Sequence, residues 1–240
     1  MSRRQPKRPV KLCIWQQNTH KSKVAHEYIL NTANPTDWDI ITIQEPWLDA
    51  LGNARGTRYW CVLYPSNHLH DGSSCPCSFL LVNTNIATDS YISLNVLNRN
   101  ITAIHFQGDH SFLSLFNIYN DCMHNDNLTA LSGYLSTSIS TAKPGVNDHM
   151  IWLSDLNCHH PLWEDHTNQH LFTSEGLVQP LLNLLHNYNM ELALPPNIPT
   201  LETSAGNCKG NLAVLRQSLS LAGGNPKMNI SGYNTWNMKY

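Results

Sequence analysis

Four short polar clusters stand at the ends of apolar runs in this sequence: Gln17-Asn18, Gln44-Glu45, Asn117-Ile118-Tyr119-Asn120 and Asp155-Leu156-Asn157. Glu45 offers a carboxylate oxygen suited to Mg²⁺, a hard ion that keeps most of its waters and takes only one or two protein carboxylates. Asn18 can support that ligand or bind a water of the ion, and Tyr119 can donate to a phosphate oxygen. If the strand before it continues, Asp155-x-Asn157 places a carboxylate and a carboxamide on one face, about 6–7 Å apart. Such a set suits phosphodiester hydrolysis, where a metal stabilises developing charge and a carboxylate orients water.

Each cluster also has an ordinary reading. An Asn after a strand is commonly a turn residue, and Glu45 before Pro46 fits a solvated loop. Tyr119 fits a sheet-edge aromatic, and Asp155 a cap for the next turn of chain. The joint pattern is harder to dismiss, because a carboxylate or carboxamide ends each of several core strands.

The elements that must position these groups are legible as apolar runs. Strands are predicted over 10–18, 38–44, 59–64, 78–82, 91–96, 101–106, 112–119 and 150–155, rich in β-branched and aromatic residues and separated by Asn, Gly and Asp clusters. Helices are predicted over 21–30, 128–141 and 169–186, where apolar residues recur on one face. Many strands with few helices predict two packed sheets with helices outside, an α/β architecture distinct from a doubly wound parallel sheet. There is no internal repeat, G-x-G-x-x-G or P-loop. No Gly-rich linker precedes Ala222-Gly223-Gly224, so one domain is expected.

Composition narrows the class further. Of the 240 residues 41% are hydrophobic and 13% charged, which supports a core and excludes a charged disordered polymer. The net charge of −2 hides a basic start, with Arg3, Arg4, Lys7, Arg8 and Lys11 and no acid among them. That arm reads as a solvated terminus, with phosphate contact or a weak nuclear signal as the other reading. No run of 18 apolar residues predicts a membrane span, and no signal-peptide core precedes the first strand. An intracellular protein, nuclear or cytoplasmic and not secreted, is expected. Seven cysteines at irregular spacing argue against a disulfide framework. Cys75 and Cys77 with His68 and His70 suggest zinc, but a turn over Asp71-Gly72-Ser73-Ser74 explains them without metal.

Read in order, Ile14-Trp15-Gln16-Gln17-Asn18 with Lys21-Ser22, Ile43-Gln44-Glu45-Pro46-Trp47, Asn117-Ile118-Tyr119-Asn120-Asp121 and Ser154-Asp155-Leu156-Asn157-Cys158-His159-His160-Pro161-Leu162-Trp163 resemble a known series. They are similar to the motifs of the DNase I-like endonuclease/exonuclease/phosphatase superfamily. The wording is closest to endonuclease domains of fungal non-LTR (LINE-type) retrotransposons, as is Leu194-Pro195-Pro196-Asn197-Ile198-Pro199-Thr200. The resemblance spans about 10–207 and implies three segments: a basic flexible arm at 1–9, the nuclease domain at 10–207 and a divergent tail at 208–240. It implies a four-layer α/β/β/α sandwich with the site at one end of the sheets. By resemblance, Glu45 and Asn18 hold Mg²⁺ (or Mn²⁺), Tyr119 contacts the scissile phosphate, and Asp155 orients or deprotonates water. Asn157 binds phosphate and steadies Asp155. DNA is the implied partner, and His159-His160 is read as the loop turning the chain at Pro161.

The end of the chain departs from the pattern. The family continues after its Gly-Asn with an Asp-bearing strand and a final Asp-His pair. Here Gly206-Asn207 leads into a different stretch, and 203–240 holds no Asp, Glu or His. The expectation is therefore of last strands missing or altered, a mobile 229–240, partial packing of 212–221 and impaired catalysis. A catalytically dead nuclease remnant or DNA-binding module is the alternative, and a phospholipid or inositol phosphate phosphatase a weaker one. The sequence carries no reverse transcriptase, so retrotransposition by this chain alone is not expected.

Overall fold

A computed structural model describes residues 11–68, 75–107, 112–121, 123–139, 148–164 and 166–193, and the backbone of further strands within 201–239. The chain runs β1 (Lys11–Asn18), α1 (Lys23–Thr32), β2 (Ile40–Gln44), β3 (Trp60–Leu63), β4 (Ser78–Asn83), β5 (Tyr91–Leu94), β6 (Ile101–Gln107) and β7 (Phe112–Tyr119). It continues through α2 (Asp126–Tyr134), β8 (Asp148–Asp155), α3 (Glu175–Asn187) and β9 (Met190–Leu192). Beyond these lie β10 (Leu201–Glu202), β11 (Cys208–Lys209), β12 (Leu212–Gln217), β13 (Met228–Ser231) and β14 (Thr235–Lys239). The arm at 1–10, the segment with His70, the 194–200 motif, 203–207 and 218–227 lie outside the described residues.

Two six-stranded sheets result, ordered β13-β14-β1-β2-β4-β3 and β5-β6-β7-β8-β12-β9, with a small β10-β11 pair besides. Period-2 alternation explains their stacking, since successive side chains of a strand face opposite ways. Ile40, Leu80 and Val82 of the first sheet meet Leu113, Leu115, Ile151 and Leu153 of the second in a core between the sheets. Their neighbours Ile41, Ile43, Phe79 and Leu81 face outward onto Ile29 and Ala33 at α1. On the far side Phe116, Ile118, Met150 and Trp152 pack on Leu128 and Leu131 of α2 and Val178, Leu181 and Leu184 of α3. Three apolar interfaces separate four layers, the expected α/β/β/α sandwich.

Among the described residues parallel pairing occurs twice, between β1 and β2 and between β7 and β8. A parallel pair needs a crossover, and α1 and α2 supply one each. The two β-α-β units face each other across the sandwich, so the ends of four core strands gather at one edge.

The helices start and stop differently from the sequence reading. Ser22 caps α1 by accepting from Ala25 N at 3.2 Å. The predicted 128–141 helix holds α-geometry only to Tyr134 and passes into a π-turn, Leu135–Ile139. There Ser136 and Thr137 hydroxyls donate to Gly133 O at 3.0 and 2.8 Å, the local competition that Ser and Thr bring to helix interiors. The predicted 169–186 helix is two elements, a 3₁₀ turn at His166–Leu171 and then α3.

The C-terminal stretch supplies strands to both six-stranded sheets, and one expectation for it, a mobile end, needs correction. β12 lies between β8 and β9, with Leu212 opposite Asp155 and Gln217 opposite Met190. The 229–240 segment is not a mobile tail through 235–239. β14 pairs antiparallel with β1 from Lys11↔Lys239 to Trp15↔Thr235, and β13 pairs with β14. The physical reason is the unpaired N–H and C=O row that β1 and β8 would otherwise present, which any extended segment of the chain satisfies through its backbone.

Candidate active site

The two sheets are joined near the site by a buried polar seam. Gln44 Nε2 donates to Asn117 Oδ1 at 2.5 Å, and Asn117 Nδ2 donates to Ile43 O and Phe79 O at 3.0 and 2.9 Å. Ser78 Oγ donates to Asn117 O at 2.9 Å, Thr102 Oγ1 to Ser78 O at 3.0 Å, and Gln16 Nε2 to Ser154 O at 3.0 Å. These side chains are buried, and their bonds to one another and to backbone carbonyls offset most of the cost of placing polar groups in a core; Gln44 Oε1 alone of them has no partner among the described residues. The seam sets how far Glu45, after Gln44, stands from Tyr119, two residues beyond Asn117.

At the edge itself Asn18 Nδ2 donates to Glu45 Oε1 at 2.8 Å and to Asp155 Oδ2 at 2.5 Å. One amide therefore holds two carboxylates that arrive from different sheets. Its oxygen accepts from His20 N at 2.8 Å, which fixes the amide's orientation. Glu45 has a left-handed backbone (φ 45), secured by Thr19 Oγ1 and Lys21 N donating to Glu45 O, both at 2.7 Å, and by Glu45 N donating to Cys77 O at 3.0 Å. A non-glycine residue held in that region is costly and is sustained by surrounding bonds. The Glu45 side chain remains partly open, and His20 Nδ1 stands 3.7 Å from its Oε1.

β8 ends at Asp155, so Asp155 and Asn157 do not share a strand face. The chain turns instead, with Asn157 at φ 47, and Asn157 N donates to Asp155 Oδ1 at 3.3 Å. Asn157 Nδ2 donates to Asn120 O at 2.9 Å, and Asn120 N donates to Asp155 O at 2.9 Å, which ties the β7 and β8 exits together. Tyr119 O accepts from Asn127 Nδ2 at 3.0 Å, linking this edge to α2.

The electrostatics stem from burial. Asp155 is 3% exposed, and desolvation raises its pKa although the Asn18 and Asn157 N–H groups oppose the shift; the Glu45 charge adds to it. Tyr119 is pushed well up by burial and then by the Glu45 charge, so its hydroxyl stays a donor at any ordinary pH. A buried carboxylate facing a hydrated edge is a stronger base than one in water.

For a hard divalent ion the donor set at this edge is oxygen-rich. The Glu45 carboxylate fits, being partly open and aimed at the same point as Asp155. Asn18 presents nitrogen to Glu45 and keeps its oxygen on His20 N, so here it supports the carboxylate. Among the described residues no group of three His, Cys, Asp or Glu converges as a metal cage, and Cys75 and Cys77 are free thiols. His68 stacks on Tyr64 with ring centroids 4.0 Å apart. His159 pairs through Nδ1 with the buried Glu164, and Trp163 N donates to His160 O at 3.1 Å, which makes this pair part of the turn at Pro161.

Asn18, Glu45, Tyr119, Asp155 and Asn157 thus stand on one edge. Sequence reasoning missed Gln16, Ser78 and Thr102 of the seam, and the His20 ring 3.7 Å from Glu45 Oε1. Nothing local marks the seam, because its bonds join residues up to 138 positions apart.

The fold is that of the DNase I-like endonuclease/exonuclease/phosphatase proteins. It is similar to the endonuclease domain of TRAS1, a telomere-specific non-LTR retrotransposon, with TM-score 0.67 and 14% identity over 95% of this chain and 97% of that one. It is also similar to the AP endonuclease LMAP from Leishmania major, with TM-score 0.61 and 11% identity over 98% and 88% of the two chains. An AP endonuclease from Archaeoglobus fulgidus gives 0.54 at 12% identity over 95% and 98%. No family model matches the chain, and no curated protein does.

Proposed function

We propose that this chain is a Mg²⁺-dependent phosphodiesterase that cuts DNA, derived from a retrotransposon endonuclease. The observation that carries the reading is Asn18 Nδ2 within hydrogen-bond reach of both Glu45 and Asp155 at the meeting point of two β-α-β units. Likeness of fold to a retrotransposon endonuclease domain and to AP endonucleases supports it. Glu45 would hold the ion, with Asn18 supporting that carboxylate or a water of the ion. When bound, Mg²⁺ supplies neutralisation of the charge that develops on phosphate oxygens. Asp155 orients an attacking water and takes its proton, helped by a pKa raised through burial. Tyr119 donates to a phosphate oxygen, and Asn157 binds phosphate while its backbone N–H steadies Asp155. A groove reading phosphate backbone implies low sequence preference and strong salt sensitivity.

The absence of Asp, Glu and His from 203–240 favours slow turnover, and a DNA-binding remnant is the second reading. Incubation with Mg²⁺ and either supercoiled plasmid or a panel of soluble phosphate monoesters and inositol phosphates tests the substrate class. Plasmid cut with the panel untouched is the expected result. Turnover of a monoester with intact plasmid would replace the reading with a phosphatase, and binding without cutting would leave the remnant. Mg²⁺ titration should show weak binding that Glu45→Gln abolishes, and unchanged binding would remove Glu45 as the ligand.

A further inference from the structure

The loop that leaves Tyr119 carries a pair that the proposed chemistry does not use. Asp121 directly succeeds Asn120, the residue whose N–H and C=O bond Asp155 O and Asn157 Nδ2. One oxygen of Asp121 accepts from Met123 N and His124 N, both at 3.0 Å, and the other meets His124 Nδ1 at 3.0 Å. The imidazole is therefore aligned by its carboxylate, with Nδ1–H directed inward. Among the described residues its Nε2 has no hydrogen-bond partner, and the side chain is 69% exposed. Met123 beside it is 73% exposed, so these two side chains face solvent.

A loop that needed only to be held in shape would be served by the oxygen that accepts the two backbone N–H groups. The second oxygen acts on the ring. It fixes the tautomer and favours the imidazolium: bonding to Asp121, then its charge and that of Asp126 in the first turn of α2, raises the His124 pKa. An aligned, exposed imidazole five residues along the chain from Tyr119, with a carboxylate on its Nδ1 that favours the cation, has an obvious complement, an anionic phosphate oxygen.

We infer that His124, oriented by Asp121, binds a backbone phosphate of the nucleic acid on the α2 side of the active site. This rests on the nuclease reading above and adds a contact to it. His124 is charged below its folded pKa and loses the charge as pH rises through it, so the contact weakens with rising pH. The exposed methionine alongside suits the sugar face of the same strand.

The test is fluorescence-anisotropy titration of a labelled DNA duplex with the full chain in Ca²⁺ buffer, from about pH 5.5 to about 8.5, a window that brackets an imidazole raised from its ordinary value, and across a salt series. Wild type, His124→Gln and Asp121→Asn are compared after circular dichroism confirms that each is folded. His124→Gln is expected to bind about fivefold more weakly at about pH 6, as for loss of one exposed charged hydrogen bond, and to lower the log–log salt slope by about one. Asp121→Asn is expected to bind like wild type at the acid end of the range and to lose affinity at a lower pH than wild type does. Equal affinity and equal salt slope for wild type and His124→Gln would overturn the contact and leave the nuclease reading standing. If wild type itself does not bind the duplex, the nuclease reading fails and this inference fails with it.

Discussion

Asp155 is placed where solvation and the proposed chemistry oppose each other. Its carboxylate is nearly out of water, and burial raises its pKa against the two N–H groups that bond it. A raised carboxyl pKa means the folded state prefers the protonated form. Stability from this group is full below the unfolded pKa and is lost as pH rises through the folded one. Removing the charge should therefore stabilise the fold at neutral pH while ending the proposed catalysis. Asp155→Asn is expected to melt higher than wild type at neutral pH, with the difference shrinking in acid, where wild-type Asp155 is itself protonated. A lower melting temperature would show that the charged bonds to Asn18 and Asn157 outweigh desolvation. That these polar residues share one edge was legible in the sequence because they end apolar strands, and the fold gathers strand ends. The Asp155–Asn157 relation was misread, since a left-handed residue after a strand leaves no mark on an Asn that is also at home in an extended one.

At the scale of elements, the polar seam makes a sharper claim than the apolar layers, because its members have few substitutes. Asn117→Ala would strip partners from Gln44 Nε2 and from the Ile43 and Phe79 carbonyls at once. A loss of about 2–4 kcal/mol in urea unfolding is expected, typical of a broken buried network. A loss under about 0.5 kcal/mol, the size of an ordinary surface substitution, would mean the sheets are aligned by their apolar core alone. The outer layer has its own sensitivity at α1. His26 is buried between Trp47 and Phe79, and its Nε2 lies 3.3 Å from Arg55 O. Burial lowers its pKa from the ordinary 6.5, so the neutral ring is the folded form. Stability should fall as pH drops below 6.5, because the unfolded state binds the proton first. His26→Gln should flatten that decline in melting temperature between about pH 6.5 and about pH 5; an unchanged slope would assign the acid sensitivity elsewhere. Helix boundaries escaped the sequence because Ser and Thr at 136–138 fit a helix face in pattern but bond back to the turn before them.

For the whole molecule, the layered sandwich was readable from strand number and alternation, and the last strands were not. Their residues lack the acids and histidine that would have signalled them, yet β12 and β14 pair through backbone, which carries no sequence signature. This separates fold from chemistry: the sheets close while the C-terminal stretch contributes no titratable acid or imidazole to the site. A rate about 10²–10³ below that of a site with one more preorganised donor is the corresponding expectation. The most direct test is the nicking rate of supercoiled plasmid by wild type and Asp155→Ala, each with Mg²⁺ and with EDTA. The account predicts slow nicking by wild type that requires Mg²⁺ and vanishes in Asp155→Ala. Nicking that persists in the Asp155→Ala protein, or no nicking by wild type at any concentration, would contradict it.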